Sequence, residues 1–182
     1  MKIRRVLVAV LMILLSVFTT KWILYNIMYP YEYKEFIDKH SKEYNLDPLF
    51  VLSVIKAESN FDSNAKSYKD AHGLMQITDD TAKWASKEME IEDYDVSMLM
   101  DPEFNIRMGC WYIDNLYKEF NNFDLVLAAY NGGRGNVNKW LNDYQYSKDG
   151  KMLDYIPFKE TDKYVKKVKV NYNIYKFLYK QK

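Results

Sequence analysis

Residues 47–60 read Asp-Pro-Leu-Phe-Val-Leu-Ser-Val-Ile-Lys-Ala-Glu-Ser-Asn. The first two positions are a helix start: an Asp side chain accepts from the exposed N–H groups of a first turn, and proline fits the first helical position. Leu49, Phe50, Leu52, Val54, Ile55 and Ala57 then make the segment apolar around most of its circumference, which predicts a buried helix ending near Asn60. Glu58 falls at the C-terminal end of that helix, one turn after Val54 and Ile55. A carboxyl there is partly desolvated and faces the negative end of the helix dipole, and both effects favour its protonated form. Glu58 is therefore a candidate general acid, although a last-turn glutamate on one helix is more commonly an ordinary surface residue.

The flanking sequence repeats the helical pattern. Glu32 to Tyr44 is amphipathic, with Phe36, Ile37, His40 and Tyr44 at helical spacing. Thr78 or an adjacent Asp caps a helix through Trp84, and Asp101-Pro102 starts a longer one towards Phe120. Asp124 opens a short apolar helix that stops at Asn131-Gly132-Gly133. A last helix from about Thr161 places Tyr164, Val165, Val168, Tyr172 and Tyr175 on one stripe, with Lys166, Lys167 and Lys169 facing water. Residues 143–158 are a polar loop, and no run alternates convincingly as a strand. The predicted class is all-α.

The N-terminus is different in kind. Lys2, Arg4 and Arg5 precede an uncharged run from Val6 to Thr20, the pattern of an export signal. As a helix this run spans about 22 Å, short of a bilayer core of about 30 Å; extension through Trp22 and Tyr25 to Tyr29 gives about 36 Å. Lys21 then reaches for the headgroups, with Trp22 and Tyr25 in the interfacial belt. No small-residue cleavage triplet follows the run. Residues 1–29 are thus expected to be an uncleaved single-pass signal anchor in the cell membrane, with residues 30–182 as an extracytoplasmic domain. A cleaved signal with a secreted domain, and a buried N-terminal helix, are the alternatives.

Composition removes several function classes. Among 182 residues there is one cysteine, Cys110, so neither a disulfide framework nor a multi-cysteine zinc site is possible. Two histidines, His40 and His72, leave little for a metal centre. The chain carries 26 basic and 25 acidic residues, and without Lys2, Arg4, Arg5 and Lys21 the remainder is at −3, which is unlike a nucleic-acid binder.

Two further motifs accompany Glu58-Ser59. Gly73-Leu74-Met75-Gln76-Ile77 combines a glycine that permits close backbone approach with an amide that both donates and accepts hydrogen bonds. Ala128-Ala129-Tyr130-Asn131-Gly132-Gly133 joins small, close-packing residues to a tyrosine and an asparagine at a helix end. Each alone is as well read as a buried turn or a helix cap. Their order, followed by Glu160-Thr161 and Tyr164-Val165, resembles the soluble lytic transglycosylase family over roughly residues 32–175. Asn105-Ile106, Gly109 and Tyr112 match that family's intervening helix.

The resemblance implies a lysozyme-like helical domain, as in goose-type lysozyme, acting on peptidoglycan glycan strands. It implies that Glu58 is the single catalytic acid and that Ser67, Met75, Gln76, Tyr130, Asn131 and Glu160 contact or shape the saccharide site. Tyr164 supports the cleft from the last helix. It implies no metal and no organic cofactor, and it names no protein partner beyond the wall and the membrane reached through the N-terminal helix. Asp70-Ala71-His72 stands where the family often has Gly-Ala before its Gly-Leu-Met-Gln; His72 reads as a loop residue and Cys110 as buried and inert. Two other readings share the fold: a goose-type muramidase that hydrolyses the same bond, and a non-catalytic subunit of the cell wall or of a secretion apparatus.

Overall fold

The structure, a computed structural model, describes residues 2–180. The chain divides into two compact units, Met1–Glu32 and Tyr33–Lys182, each taken by itself below. In the first, helix α1 (Lys2–Ile23) continues as a π-helical turn, Leu24–Met28. No residue of α1 is buried, and Leu7, Leu11 and Leu14 all stand open. Residues 2–28 are long and apolar enough to cross a membrane, about 40 Å at the α-helical rise.

Among the described residues the second unit holds seven α-helices and one short hairpin: α2 (Lys34–Glu43), α3 (Pro48–Glu58), β1 (Ala71–His72), β2 (Ile77–Thr78), α4 (Asp79–Glu88), α5 (Pro102–Phe120), α6 (Phe123–Gly132), α7 (Arg134–Leu141) and α8 (Lys159–Tyr179). A 3₁₀ turn, Val96–Met100, precedes α5. Helix α3 is the centre: every residue from Leu49 to Ile55 is buried, as an all-round apolar helix must be, and it packs on α8 and α2. Helix α6 closes the core between α8, α5 and α7.

The caps explain the boundaries. Asp47 Oδ1 accepts from Leu49 N at 2.8 Å, and Asp101 Oδ1 from Phe104 N at 2.8 Å, both before a proline. Thr78 caps α4, which runs past Trp84 to Glu88. The cap of α6 is Asn122, whose Oδ1 accepts from Asp124 N and Leu125 N, so Asp124 sits inside the first turn instead of opening the helix. Helix α3 ends at Glu58 and α8 begins at Lys159, each two residues earlier than the sequence pattern predicts.

Two elements depart from the expected pattern altogether. Helix α7 is short, begins at the Gly133 break and buries only Val137 and Trp140, so it offers almost no periodicity to read. The β1–β2 hairpin pairs Ala71 with Thr78 and His72 with Ile77 around Gly73–Gln76; two residues per strand are too few to alternate. Lys167 also departs from the water-facing role: its Nζ donates to the Ala57 carbonyl at 2.6 Å, tying α8 to the last turn of α3.

Candidate active site

The end of α3 and the tip of the hairpin are locked together by two side chains. Ser59 Oγ donates to the Leu74 carbonyl at 2.8 Å. Asn105, fully buried on α5, accepts from Met75 N at 2.7 Å and donates from Nδ2 to His72 O and Leu99 O, both at 2.9 Å. This satisfies three backbone groups that would otherwise lie unpaired in the core. Gly73 passes so close that a Cβ there would lie 2.3 Å from Leu99 O and 2.4 Å from Asn105 Nδ2, and its φ of +71° suits glycine in any case. Met75 is fully buried, and its Sδ occupies the space a Cβ on Gly109 would need, at 2.2 Å.

The turn then aims Gln76 and Tyr130 at the space beside Glu58. Gln76 holds a left-handed φ of +49°, uncommon for a residue with a Cβ, and its Nε2 donates to Gly73 O at 2.9 Å and Ala65 O at 3.1 Å. Tyr130 Oη donates to Met75 O at 2.7 Å, which spends its proton inside the protein and leaves oxygen lone pairs as acceptors. Tyr112 packs on Tyr130 at 5.3 Å between ring centroids, and behind it Trp84 meets Trp111 at 4.9 Å and carries Arg134 over its ring. The wall behind the cleft is aromatic.

Glu58 lines a recess of about 160 Å³ together with Ser67, Gln76, Tyr130, Asn131 and Glu160. The recess shares its Gln76, Tyr130, Asn131 and Glu160 wall with a cleft of about 700 Å³ that is also lined by Thr161 and Pro157. Burial is the largest influence on Glu58 and lifts its carboxyl to a pKa of about 7; the nearby Tyr164 hydroxyl and Lys167 ammonium pull downward, and Glu160 adds to the rise. Burial likewise lifts Tyr130 and Tyr164 well above the ordinary phenol value, so both stay neutral. Tyr164 Oη is buried and makes no hydrogen bond of ordinary geometry among the described residues.

Six of the seven residues named from the sequence thus line one recess: Glu58, Ser67, Gln76, Tyr130, Asn131 and Glu160. Met75 does not; its side chain is turned into the core, and it shapes the site through the carbonyl that receives Tyr130. Ser67 Oγ accepts from Lys69 N and Ala71 N, so its hydroxyl builds the loop. Asn131 Oδ1 accepts from Thr161 Oγ1 at 2.9 Å. Glu160 is exposed and paired with Lys69 Nζ at 3.2 Å. Lys69 lines both cavities, and as one exposed lysine among many it carried no signal in the sequence. His72 lies in β1 outside the recess, its Nε2 3.2 Å from Asp70 Oδ1 but without hydrogen-bond geometry. Cys110 is fully buried, and burial pushes its thiol far up, which keeps it inert. Among the described residues no group of three metal-ligating side chains converges.

Known proteins share this sequence family and this fold. The transglycosylase SLT domain family matches residues 35–153. The soluble lytic murein transglycosylase of Escherichia coli (strain K12) is 34% identical over 143 residues, covering 77% of this chain and 22% of that protein. The membrane-bound lytic murein transglycosylase C of Sodalis glossinidius is 31% identical over 124 residues, covering 59% of this chain and 33% of that protein. This chain therefore spans only a fraction of the length of either. Among solved structures, an inactive mutant of the lytic transglycosylase Slt of Pseudomonas aeruginosa superposes with a TM-score of 0.73 at 32% identity, covering 84% of this chain and 25% of that one. The 70 kDa soluble lytic transglycosylase of Escherichia coli gives 0.73 at 30% identity, over 82% of this chain and 25% of that one. With the same helical domain, a family match across most of the folded unit and the motif residues gathered at one recess, the chain belongs to the transglycosylase SLT domain family.

Proposed function

We propose that the protein is a membrane-anchored peptidoglycan lytic transglycosylase. The observation that carries the reading is Glu58: one carboxyl, held half-protonated near neutral pH by burial, in a recess that shares a wall with a cleft of about 700 Å³. Glu58 donates its proton to the glycosidic oxygen between N-acetylmuramic acid and N-acetylglucosamine as the C1–O4 bond breaks. The substrate's own N-acetyl group stabilises the cationic C1. The Glu58 carboxylate then takes the proton of the muramoyl C6 hydroxyl while O6 attacks C1. The new C1–O6 bond closes a 1,6-anhydro ring, Glu58 is again protonated, and no water is consumed. Attack within one sugar is favoured because the nucleophile is already beside the reacting carbon.

Gln76 and Tyr130 form the walls that orient the strand, with the Tyr130 oxygen offered as an acceptor. The other carboxylate of the recess, Glu160, is exposed and tied to Lys69, a poor setting for a second acid or a nucleophile. Residues 2–28 are read as a signal anchor that holds the domain outside the cytoplasm near its substrate. The test of the chemistry is mass spectrometry of muropeptides released from purified peptidoglycan by the wild type and by Glu58→Gln. Products one water lighter than reducing muropeptides, absent with the variant, are expected. Reducing-end products would make the enzyme a hydrolase, and no products from the folded wild type would leave a wall-binding role. For the anchor, partition with membranes after alkaline wash is expected; release into the soluble fraction would replace it with a cleaved signal.

A further inference from the structure

At the end of α3 opposite Glu58 the surface opens into a pocket of about 320 Å³. Its floor is Phe50, which is buried, and its walls are Tyr117, Phe123 and Tyr172, half-buried. These rings form one cluster: Phe50 lies 4.9 Å from Phe123, 5.9 Å from Tyr172 and 6.3 Å from Tyr117 between centroids. Two carboxylates, Asp47 and Asp114, also line it, together with the turn Tyr44–Leu46. Asp47 Oδ1 caps α3 and Oδ2 accepts from Tyr172 Oη at 2.7 Å, so the carboxylate is held in place by neutral donors. Among the described residues Asp47 forms no ion pair with a lysine or arginine. Asp114 meets Lys118 Nζ at 2.6 Å, but that lysine is 73% exposed and the pair is a surface i,i+4 contact of small worth.

Aromatic faces carry negative potential, and rings arranged around a negatively charged rim select a cation that also brings apolar surface. Lys176, one turn from Tyr172 in α8, places its ammonium 4.1 Å from the centroid of the Tyr172 ring, a cation–π contact within the helix. The volume, about 320 Å³, is far larger than a bare ammonium ion and leaves room for an aliphatic stem.

We infer that this pocket is a second, non-catalytic site that binds a primary ammonium on an aliphatic stem, the chemistry of the diamino-acid side chain in an uncross-linked wall peptide. That the amine is borne by a wall peptide rests on the peptidoglycan reading above; the amine chemistry itself does not. The site stands about 17 Å from the Glu58 end of the same helix, taking 1.5 Å per residue. Acylation of the amine, as in a cross-link, removes the recognised charge.

The test is a titration of the full chain in lipid nanodiscs, followed by saturation-transfer NMR. The probes are Nα-acetyl-lysine N-methylamide and the same molecule acetylated on Nε, which keeps the stem and deletes the charge. The charged probe is expected to bind at least fivefold more tightly than the neutral one, and equally well to wild type and Glu58→Gln. Asp114→Asn, and separately Tyr117→Leu, should each weaken the charged probe at least threefold. Equal binding of the two probes, or no binding, would overturn the proposal, and because that comparison is made on the wild type it needs no variant to fold. Failure here leaves the anhydro-product assay untouched, and failure of that assay leaves the probe discrimination standing.

Discussion

Replacing Glu58 with Gln should make the protein more stable at alkaline pH and change it little at acid pH. The folded carboxyl titrates at about 7 and the unfolded one at its ordinary 4.5. Burial that lifts a folded pKa above the unfolded value leaves the fold undisturbed below the lower value; stability is then lost as pH climbs from 4.5 towards 7 and levels off above it. Integrated over that window, ionised Glu58 costs the fold about 3 kcal/mol at pH 8, about 1 kcal/mol at pH 5 and almost nothing at pH 4. A neutral amide of the same shape carries no such penalty. For a unit of this size about 3 kcal/mol corresponds to roughly 6–12 °C in melting temperature. The assay is thermal unfolding of the full chain in dodecyl maltoside, read by near-UV circular dichroism from the Trp84–Trp111 pair, for wild type and variant at pH 4, 5, 7 and 8. The gain of the variant over wild type should grow with pH up to about 7 and then stay flat. A gain independent of pH, or one that grows towards acid, would mean that Glu58 is an ordinary solvated carboxylate, and the argument for it as a proton donor at neutral pH would fall with it.

The remaining predictions concern the groups around the acid. Lys167→Met removes a cation that pulls the Glu58 pKa down, so the alkaline limb of the activity profile should move to higher pH, checked by rate against pH on purified peptidoglycan; a shift to lower pH would contradict the assignment. Asn105→Ala strips partners from Met75 N, His72 O and Leu99 O, and should destabilise by about 3 kcal/mol or more in denaturant titration while also abolishing turnover. Ser59→Ala loses the bond to Leu74 O and should cost about 1 kcal/mol in the same titration. Gly109→Ala drives a methyl into Met75 Sδ and should destabilise by about 1–3 kcal/mol, an effect that Met75→Ala on the same chain should largely relieve.

What could be read in advance follows from what each feature depends on. Helices α3 and α5 announced themselves because an Asp cap, a proline and an apolar face act within one turn of chain. Glu58 was visible for the same reason: its place at the end of an all-round apolar helix already implies desolvation. The hairpin was not, because it is held by Asn105, which lies 30 residues from Met75 in sequence. Met75 belongs to the motif, yet nothing local separates a side chain that enters the cleft from one that fills the space over Gly109. Lys69 and Lys167 owe their importance to tertiary contacts, with Glu160 and with the end of α3, whereas Tyr164 was legible only through the family resemblance. The aromatic pocket lay hidden in the same way, since Asp47 was fully accounted for as a helix cap.

The dual use of α3 has a consequence for how the site tolerates change. Its N-cap, Asp47, is fixed by Leu49 N and Tyr172, and its C-terminal turn by Lys167 through Ala57 O and by Ser59 through Leu74 O. Both ends are thus pinned to α8 or to the hairpin, and every residue between Leu49 and Ile55 is packed in the core. A helix held in this manner cannot slide or rotate without breaking a bond at each end, so the Glu58 carboxyl is positioned by the whole domain and not by its own rotamer alone. That rigidity is what an acid must have if it is first to donate and then to accept a proton at two oxygens of one sugar, because any freedom that lets it follow the substrate would also admit water to the recess and return its pKa towards that of an exposed carboxylate.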